Sequence, residues 1–387
     1  MTTVTDPPAT LPAIPVMKPW LGEEEAAAAA EAVASGWVAQ GPRVRSFEEE
    51  FARKVGAAEA VAVSNCTTGL HLALHLLGVG SGDEVVVPSF SFIATANSAR
   101  YVSAMPVFAD VDALTGNLTA ETVAAVLTDR PRAVGVVHQG GVPADTRPLY
   151  DLLTPRGIAV IEDAACAIGT TLYGEPVGAG ADVAVFSFHP RKIVTTGEGG
   201  MIVTKRADLA ARARRLREHG MSVSAADRHA TGSVTPEQYL EPGFNFRMTD
   251  LQAAIGRVQL GRLDAMVARR RELAARYREL LAPLPGLRMV ADPPWGEGNF
   301  QSCWVLLPED FPISRDTLLE RFTEAGISPR RGIMAAHLEP ACADLPRVSL
   351  PVTERLTAGS LILPLYHQMT EADQDRVVDV FRAVMGR

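Results

Sequence analysis

The sequence predicts an α/β protein with a mainly parallel central sheet flanked by helices in a large domain, followed by a smaller C-terminal α/β domain. The chain has 387 residues, which is more than one hydrophobic core usually supports, so two domains are expected. Between residues 60 and 204, short β-branched runs alternate with helical stretches, as in a doubly wound sheet. The runs are almost continuously apolar, which is typical of strands buried on both faces.

The N-terminal part begins with a Pro- and Thr-rich stretch, which predicts a mobile segment over residues 1–14. A helix is predicted over residues 21–36, "LGEEEAAAAAEAVASG", because acidic residues occupy its first turn and Gly36 follows its end. A second helix is predicted over residues 46–56, "SFEEEFARKVG".

The alternating region predicts a series of strands separated mostly by helices. Ligands of doubly wound sheets bind at the carboxyl ends of the strands, and most of the polar clusters described below follow such strands. The helical stretches include "TGLHLALHLLG" and "AETVAAVL". The predicted strands are "AVAVS", "DEVVVPS", "PVFADV", "AVGVVH", "IAVIEDA", "VAVFSF" and "GMIVT".

The C-terminal part is divided from the rest by a Pro-rich stretch over residues 281–298, which predicts a hinge region. A large domain is therefore assigned to residues 15–280 and a small domain to residues 281–387. In the large domain, helical patterns follow at 207–220 and, as one long amphipathic helix, at 248–280. The small domain contains a strand pattern at 302–308 and helical patterns at 315–326 and 370–386.

The composition limits the function classes. Hydrophobic residues make up 47% and charged residues 21% of the chain, as in ordinary globular proteins. The net charge of −8 argues against nucleic acid as a partner. No signal peptide and no apolar stretch of membrane-spanning length is recognised, so a cytoplasmic protein without a membrane partner is expected. No metal site and no disulfide framework is predicted, because four cysteines are widely scattered: Cys66, Cys166, Cys303 and Cys342.

The stretch "SNCTTGLHLAL" predicts an anion site. A strand ends at Ser64, and a helix is expected to begin near Thr67. Unpaired N–H groups at a helix N-terminus, together with the hydroxyls of Thr67 and Thr68, can bind a phosphate. The alternative is a threonine N-cap without a ligand.

Two ionisable residues follow later strands. Asp163 in "IAVIEDAA" ends a run expected to be buried, where a carboxylate needs a partner such as a protonated ring nitrogen, or the N–H groups of a loop. Lys192 in "FSFHPRKIVTTGEGG" lies between an apolar strand and a glycine-rich turn. Its pKa can be lowered there, which would free the amine to hold a carbonyl compound. The alternative for Lys192 is a solvated loop residue.

The predicted anion site, Asp163 and Lys192 indicate a ligand more specifically when they are considered together with two further residues. Phe92 in "PSFSFIATAN" adds an aromatic face, and Asn245 in "GFNFRMTDLQAAIG" precedes a helix start. Pyridoxal 5′-phosphate needs a phosphate cradle, a flat face, an acid for its ring nitrogen and an amine for its aldehyde. The set therefore predicts this cofactor.

The chain resembles the StrS/DegT-type sugar aminotransferases, which are fold-type I pyridoxal-phosphate enzymes. The resemblance covers nearly the whole chain. The motifs that carry it are "IPVMKPWLGEEE", "SGWVAQGPRVRSFEEEFA", "GSGDEVVVPSFSFIATANS", "IEDAA", "FSFHPRKIVTTGEGG", "FNFRMTDLQAA" and "LPVTERLTAGSLILPL".

The resemblance implies roles for the cofactor residues. Lys192 is expected to be the Schiff-base lysine and to shuttle the proton, and Asp163 to keep the ring nitrogen protonated. Phe92 is expected to stack on the ring. Asn245 is expected to reach the phosphate from the other subunit, which implies a homodimer with shared active sites. The residues expected to bind the phosphate within the chain are Thr67, Thr68 and Ser187.

Two departures from the family pattern concern the site. Members often carry Gln where Cys166 stands, beside the cofactor's hydroxyl. They often read "HLYGQPAD" where this chain has "HQGGVPAD" over residues 138–145. That loop is expected to shape the acceptor pocket, so the substrate can be atypical.

The resemblance implies a nucleotide-linked keto-sugar as acceptor, closest to a 4-keto-6-deoxyhexose, and glutamate as donor. Arginine suits the phosphate oxygens of such an acceptor. A solvated surface turn is the alternative reading of "ISPRRGIMAAH", which contains three of the predicted ligands. The predicted substrate-binding residues are Trp37, Gln40, His189, Arg330, Arg331 and His337.

Other functions remain open. A pyridoxal-phosphate lyase or dehydratase, or an aminotransferase for a 3-keto sugar or a cyclitol ketone, uses the same scaffold. A related dehydratase branch has His at the position of Lys192, which favours transamination here. A sensor without turnover would not need the amine. A Rossmann oxidoreductase is disfavoured because G-x-G-x-x-G is absent after the early strands.

Overall fold

The computed structural model describes residues 12–224 and 236–386. Residues 1–11 of the predicted mobile segment lie outside the described residues. Pro12 and Ala13 are exposed, whereas Ile14 is buried and its backbone pairs with Ile327. The packed structure therefore includes Ile14, and the division of the chain at residue 280 stays a prediction.

The helices surround the sheets in the order that the alternating pattern predicts. The described α-helices are α1 (Glu23–Ala34), α2 (Pro42–Val55), α3 (Cys66–Leu76), α4 (Ala94–Tyr101), α5 (Ala120–Ala124), α6 (Arg147–Leu153), α7 (Ala207–Leu216), α8 (Asp250–Gly261), α9 (Leu263–Leu281), α10 (Arg315–Glu324), α11 (Pro351–Gly359) and α12 (Glu371–Val384).

The strands belong to three sheets. Those of the large sheet are β1 (Glu59–Val63), β2 (Glu84–Pro88), β3 (Met105–Ala109), β4 (Pro131–Val137), β5 (Ala159–Asp163), β8 (Val183–Ser187) and β9 (Gly200–Thr204). A small sheet contains β6 (Thr171–Leu172), β7 (Glu175–Pro176) and β11 (Gly296–Glu297). The C-terminal sheet contains β10 (Arg288–Met289), β12 (Cys303–Leu306), β13 (Arg330–Arg331) and β14 (Ser360–Leu363).

The large sheet confirms the predicted mainly parallel architecture. Its strand order is β1-β9-β8-β5-β4-β2-β3, and only β9 runs antiparallel to its neighbours. Strands β2, β8 and β9 are buried along their whole length, because helices cover both faces. The carboxyl ends of the parallel strands consequently meet along one edge, where the site lies.

Two helix boundaries differ from the predicted ones. Helix α2 begins at Pro42, earlier than predicted, because proline at the first helical position lacks only an N–H that would be unpaired anyway. The predicted long helix over 248–280 is divided at Arg262 into α8 and α9. The guanidinium of Arg262 is directed to α1, where it pairs with Glu24 at 2.6 Å and with Glu25 at 2.7 Å.

One buried arginine joins α9 to the C-terminal part of the chain. Arg270 is 5% exposed and has no carboxylate partner among the described residues. Its guanidinium donates to the carbonyl oxygens of Phe300, Gln301 and Leu365 over 2.8–3.0 Å, and to the sulfur of Met17 at 3.6 Å. Burial lowers the pKa of Arg270 to about 10. Arg270 thereby supplies hydrogen-bond donors to these three backbone carbonyl oxygens.

Candidate active site

A cleft of about 940 Å³ opens at the carboxyl ends of the parallel strands. Its floor is formed by the ends of β5 and β8, and one wall by β13 and the segment that follows it. The predicted site residues that line this cleft are Thr67, Thr68, Phe92, Asp163, Cys166, Ser187, His189, Lys192, Arg330 and Arg331.

The start of α3 differs from the predicted one. Asn65, rather than a threonine, is the N-cap, and its side-chain oxygen accepts from the Thr68 N–H at 2.9 Å. The hydroxyl of Thr68 donates to the Asn65 carbonyl at 2.8 Å, so this side chain serves the helix start. Thr67, whose hydroxyl has no partner in the described part of the chain, and Ser187 at the end of β8 leave two hydroxyls for an anion.

Asp163 ends β5 at the floor of the cleft and is 5% exposed. Its carboxylate accepts from the Thr95 hydroxyl at 2.8 Å and from the Ala165 N–H at 3.2 Å. It forms no ion pair among the described residues. Burial raises its pKa, although the two hydrogen bonds and the charge of Lys192 act in the opposite direction. A buried carboxylate with this environment is suited to a cationic N–H donor.

Lys192 lines the same cleft as Asp163, and its Nζ is 3.0 Å from the sulfur of Cys166. Burial alone would lower the pKa of Lys192. Cys166, Cys66 and Asp163 outweigh burial, so the pKa lies above its usual value. The predicted lowering of this pKa is therefore wrong for the protein without a bound aldehyde. The hydrogen bond with Cys166 and the carboxylate of Asp163 favour the charged form of the amine, and reasoning from burial alone does not include these neighbours.

The loop that carries Lys192 is fixed on either side of the lysine and at its C-terminal end. The side-chain oxygen of Gln301 accepts from the Ile193 N–H at 2.9 Å, and its amide donates to the Arg191 carbonyl at 2.6 Å. At the far end, a Cβ on Gly200 would lie 2.7 Å from the backbone of Asn65. Glycine at this position therefore lets the start of β9 approach the N-terminus of α3, which brings the lysine loop to the anion site.

The "HQGG" loop contributes one side chain to the cleft. His138 is fully buried, accepts from the Ala144 N–H at 3.0 Å and lies 3.1 Å from Glu162, so it supports the sheet edge. Gln139 lines the cleft. Gly141 has φ +92°, and a Cβ there would lie 1.9 Å from the side-chain oxygen of Asn299. The second glycine of the loop is thus required by packing.

Phe92 provides the uncovered apolar surface of the cleft. Its side chain is 68% exposed, although it follows the end of β2, where neighbouring residues are buried. An aromatic face left open inside a cleft is available for stacking against a planar ligand.

Cations gather at one wall of the cleft. Arg330 and Arg331 form β13, and Arg191 and His189 belong to the lysine loop. Burial, together with the charges of Arg191 and Arg331, lowers the pKa of Arg330. Arg331 lies 3.6 Å from Glu339. Burial also lowers the pKa of His189, with contributions from Arg191 and Lys192. This wall favours an anionic ligand.

Three predicted site residues form a surface group away from the cleft of their own chain. The amide of Gln40 donates to Glu218 at 3.1 Å, and the indole of Trp37 donates to the Gln40 carbonyl at 3.1 Å. The backbone of Asn245 pairs with that of Glu218, and Asn245 is exposed. We refer to Trp37, Gln40 and Asn245 as the outer group.

His337, a predicted substrate ligand, does not line the cleft. Its side chain is 5% exposed, with Nδ1 2.6 Å from the Ser89 hydroxyl and Nε2 3.4 Å from Glu354. A short 3₁₀ turn over Ala336–Leu338 directs the ring into the protein. His337 therefore links the end of β2 to α11.

Several cleft residues were missed by sequence reasoning. Thr95 orients Asp163, and Ser302 and Arg191 line the cleft. Thr95 lies two residues into α4 without a distinctive motif, and Ser302 reaches the cleft from residues distant in sequence. Only Arg191 carried a signal, because it directly precedes Lys192.

The cleft residues fit pyridoxal phosphate. Asp163 is a buried carboxylate without a cationic hydrogen-bond donor. The hydroxyl of Thr67 at the N-terminus of α3, the hydroxyl of Ser187 at the end of β8 and the amine of Lys192 line the same cleft. These are the groups that hold the ring nitrogen, phosphate and aldehyde. Over residues 12–224 and 236–386, no group of three or more His, Cys, Asp or Glu side chains is placed to hold a metal ion. None of the described helices is long and apolar enough to span a bilayer.

Replacing Cys166 tests the contact with Lys192. Because the Cys166 sulfur raises the pKa of Lys192, Cys166→Ala is expected to lower this pKa in the cofactor-free protein. Competitive acetylation over a pH series, followed by peptide mass spectrometry, measures it directly. Cys342→Ala is the matched control, because it removes a buried cysteine that lies outside the cleft. Equal Lys192 pKa values in the Cys166→Ala protein and the wild type would refute the coupling.

Comparison with known proteins agrees with this site. A model of the DegT/DnrJ/EryC1/StrS aminotransferase family matches residues 19–382. The aminotransferase TlmJ from Streptoalloteichus hindustanus is 38% identical, with a TM-score of 0.89 over 96% of this chain and 99% of TlmJ. DesI, crystallised in the presence of its TDP-sugar product, is 35% identical, with a TM-score of 0.88 over 98% of this chain and 95% of DesI. DesV from S. venezuelae is 33% identical, with a TM-score of 0.87 over 97% of this chain and all of DesV, 100%.

The fold is that of the fold-type I enzymes to which these relatives belong. The family model spans most of the chain, and the three relatives cover nearly all of it. The chain therefore belongs to the DegT/DnrJ/EryC1/StrS aminotransferase family and is a pyridoxal-phosphate-dependent aminotransferase.

Proposed function

We propose that this aminotransferase transfers the amino group of glutamate to a nucleotide-linked keto-sugar, with a 4-keto-6-deoxyhexose as the preferred acceptor. The observation that carries the proposal is that the Lys192 amine and the buried Asp163 carboxylate line the same cleft, which has a volume of about 940 Å³. That volume is at the upper end of the range of about 300–1,000 Å³ that is usual for small-molecule sites. A nucleotide-linked sugar needs such a volume.

The chain's own residues divide the work of the reaction. When bound, pyridoxal phosphate supplies an electron sink for the carbon that loses or gains a proton. Asp163, oriented by Thr95 and Ala165, holds the proton of the ring nitrogen. Lys192 moves a proton between its own nitrogen and the substrate carbon. The position of the Cys166 sulfur lets it accept a hydrogen bond from this amine between the two half-reactions.

The remaining cleft residues orient the ligands. Thr67 and Ser187 bind the cofactor phosphate, and Phe92 covers one face of the ring. Arg331 and Arg330 at the wall attract the diphosphate of the acceptor. The relative DesI, crystallised with a TDP-sugar product, supports a nucleotide-linked sugar as the acceptor class.

The active enzyme is a homodimer with shared sites under this proposal. The outer group lies away from the cleft of its own chain, and its members cluster around Glu218. Their positions allow one protomer to supply Asn245 to the cofactor phosphate, and Trp37 and Gln40 to the sugar, in the cleft of the other.

Replacing the lysine tests the chemical assignment. Borohydride reduction of the wild type is expected to fix the cofactor covalently on the peptide that contains Lys192, and glutamate is expected to yield pyridoxamine phosphate. Lys192→Ala should lose both results and retain at most about 10⁻³ of the turnover. Mass spectrometry of the reduced peptides is the measurement. Covalent labelling of another lysine in the variant would overturn the assignment.

The acceptor is tested with the pyridoxamine form of the enzyme. We expect 4-keto nucleotide hexoses to regenerate the absorbance of the pyridoxal form, because the cationic wall recognises the diphosphate. The panel includes 3-keto nucleotide hexoses and free cyclitol ketones. A response to a 3-keto sugar or a free ketone, with none to any 4-keto nucleotide sugar, would reject the 4-keto acceptor and leave the transamination standing.

Mixed dimers test the shared site. Asn245→Ala and Lys192→Ala each damage a different half of a shared site, so a heterodimer contains one intact site. Re-associated mixtures should recover about a quarter of wild-type turnover, since half of the dimers are mixed and each has one working site of two. Native mass spectrometry verifies that mixed dimers form. Verified heterodimers without activity above that of the parents would contradict sharing.

A further inference from the structure

A small side pocket opens from the cleft behind Lys192. Its volume is about 90 Å³, and six of its lining residues also line the main cleft: Cys166, Arg191, Lys192, Ser302, Arg330 and Ile362. The remaining lining is partly apolar and partly cationic. It consists of Val16, Met17, Arg270, Gln301, Cys303, Leu363 and Leu365.

The side pocket has a cationic lining without a carboxylate. Among residues 12–224 and 236–386, neither Arg191 nor Arg330 has an ion-pair partner. Arg270 is not available to a ligand, because its N–H groups are directed to backbone carbonyls and to Met17. Two guanidinium groups and the Lys192 amine therefore surround a cavity that contains no balancing negative charge.

The size of the side pocket restricts its ligand. One water molecule occupies about 30 Å³ of liquid volume, so a cavity of about 90 Å³ accommodates a carboxylate with one or two adjacent carbon atoms. A sugar diphosphate or a nucleoside does not fit. The lysine amine stands where the pocket meets the cleft, and the nitrogen of an amino donor must reach the same position during transfer.

We infer that the side pocket binds the α-carboxylate of the amino-acid donor, with Arg330 and Arg191 as its ligands. The inference rests on the proposed transamination from glutamate and adds the donor subsite to it. The α-carboxylate is attached to the carbon that carries the amino group, so a carboxylate in the side pocket holds that amino group next to Lys192. The main cleft remains for the acceptor. Arg191 and Arg330 line both cavities, so they serve the donor and the acceptor in successive half-reactions.

The inference is tested by removing each arginine and the donor carboxylate separately. The ligands are α-methyl-L-glutamate, which lacks the hydrogen that transamination removes, and its 1-amide, which lacks the α-carboxylate. Calorimetric titration of the holoenzyme measures the Kd of both. Arg330→Gln and Arg191→Gln are each expected to raise the Kd of α-methyl-L-glutamate about 10- to 100-fold, because a charged hydrogen-bond pair is lost. The Kd of the 1-amide should change less than about threefold.

Matched controls separate charge from structure. Arg330→Lys keeps the charge but not the planar fork, so it should recover part of the affinity. Arg347→Gln removes one exposed arginine outside both cavities and should leave both Kd values unchanged. The half-saturating concentration of glutamate in a single turnover should follow the Kd of α-methyl-L-glutamate.

Three outcomes would count against the inference or its basis. Equal Kd values for α-methyl-L-glutamate in the wild type, Arg330→Gln and Arg191→Gln proteins would overturn the inference. Equal losses for the acid and the 1-amide would also overturn it, because the arginines would then act on the fold. If none of the amino acids offered to the wild type converts the cofactor to pyridoxamine phosphate, the proposed function itself fails.

Discussion

The buried carboxylate of Asp163 is the constraint around which the site is organised. Removing a carboxylate from water costs several kcal/mol unless hydrogen bonds or a cation compensate for it. The protein supplies two hydrogen bonds, from Thr95 and Ala165, and no ion pair within the described residues. Asp163 lines the cleft, where the protonated pyridine nitrogen of the cofactor would use the remaining acceptor capacity under the proposed function. The position at the end of a central strand also makes the carboxylate rigid, because β5 is paired on both sides.

The same strand edge determines where the other groups stand. Parallel strands deliver their carboxyl ends to one edge, so Ser187 at the end of β8 and Asp163 at the end of β5 become neighbours without a dedicated binding loop. The antiparallel β9 then returns the chain from the lysine loop to β1 and the start of α3. Gly200 permits the close contact with Asn65 that this return requires. The positions of the residues proposed to hold the phosphate, the ring nitrogen and the aldehyde thus follow from the sheet order.

Sequence reasoning succeeded where the signal is local and failed where it depends on distant contacts. The alternation of apolar runs and helices predicted the sheet, and the strand-end positions of Asp163, Ser187 and Lys192 predicted much of the cleft lining. His337 shared a polar segment with two arginines, yet the 3₁₀ turn at Ala336–Leu338 directs it to Ser89, 248 positions earlier in the chain. The pKa of Lys192 also escaped prediction, because its direction depends on Cys166, Cys66 and Asp163, which only the folded chain brings together.

The distribution of charge in the cleft relates the two half-reactions to one another. Under the proposed function, Lys192 meets an anionic donor and an anionic acceptor in turn, and both approach it past the same cationic wall. If the cleft were a single wide cavity with that wall, the diphosphate of the acceptor would compete with the carboxylate of the donor for the same arginines. The side pocket changes this, because its volume of about 90 Å³ excludes a diphosphate while Arg191 and Arg330 still attract a carboxylate. In the proposed reaction, steric exclusion would therefore separate two ligands of the same charge sign, and Arg191 and Arg330, which line both cavities, would serve each of them in turn.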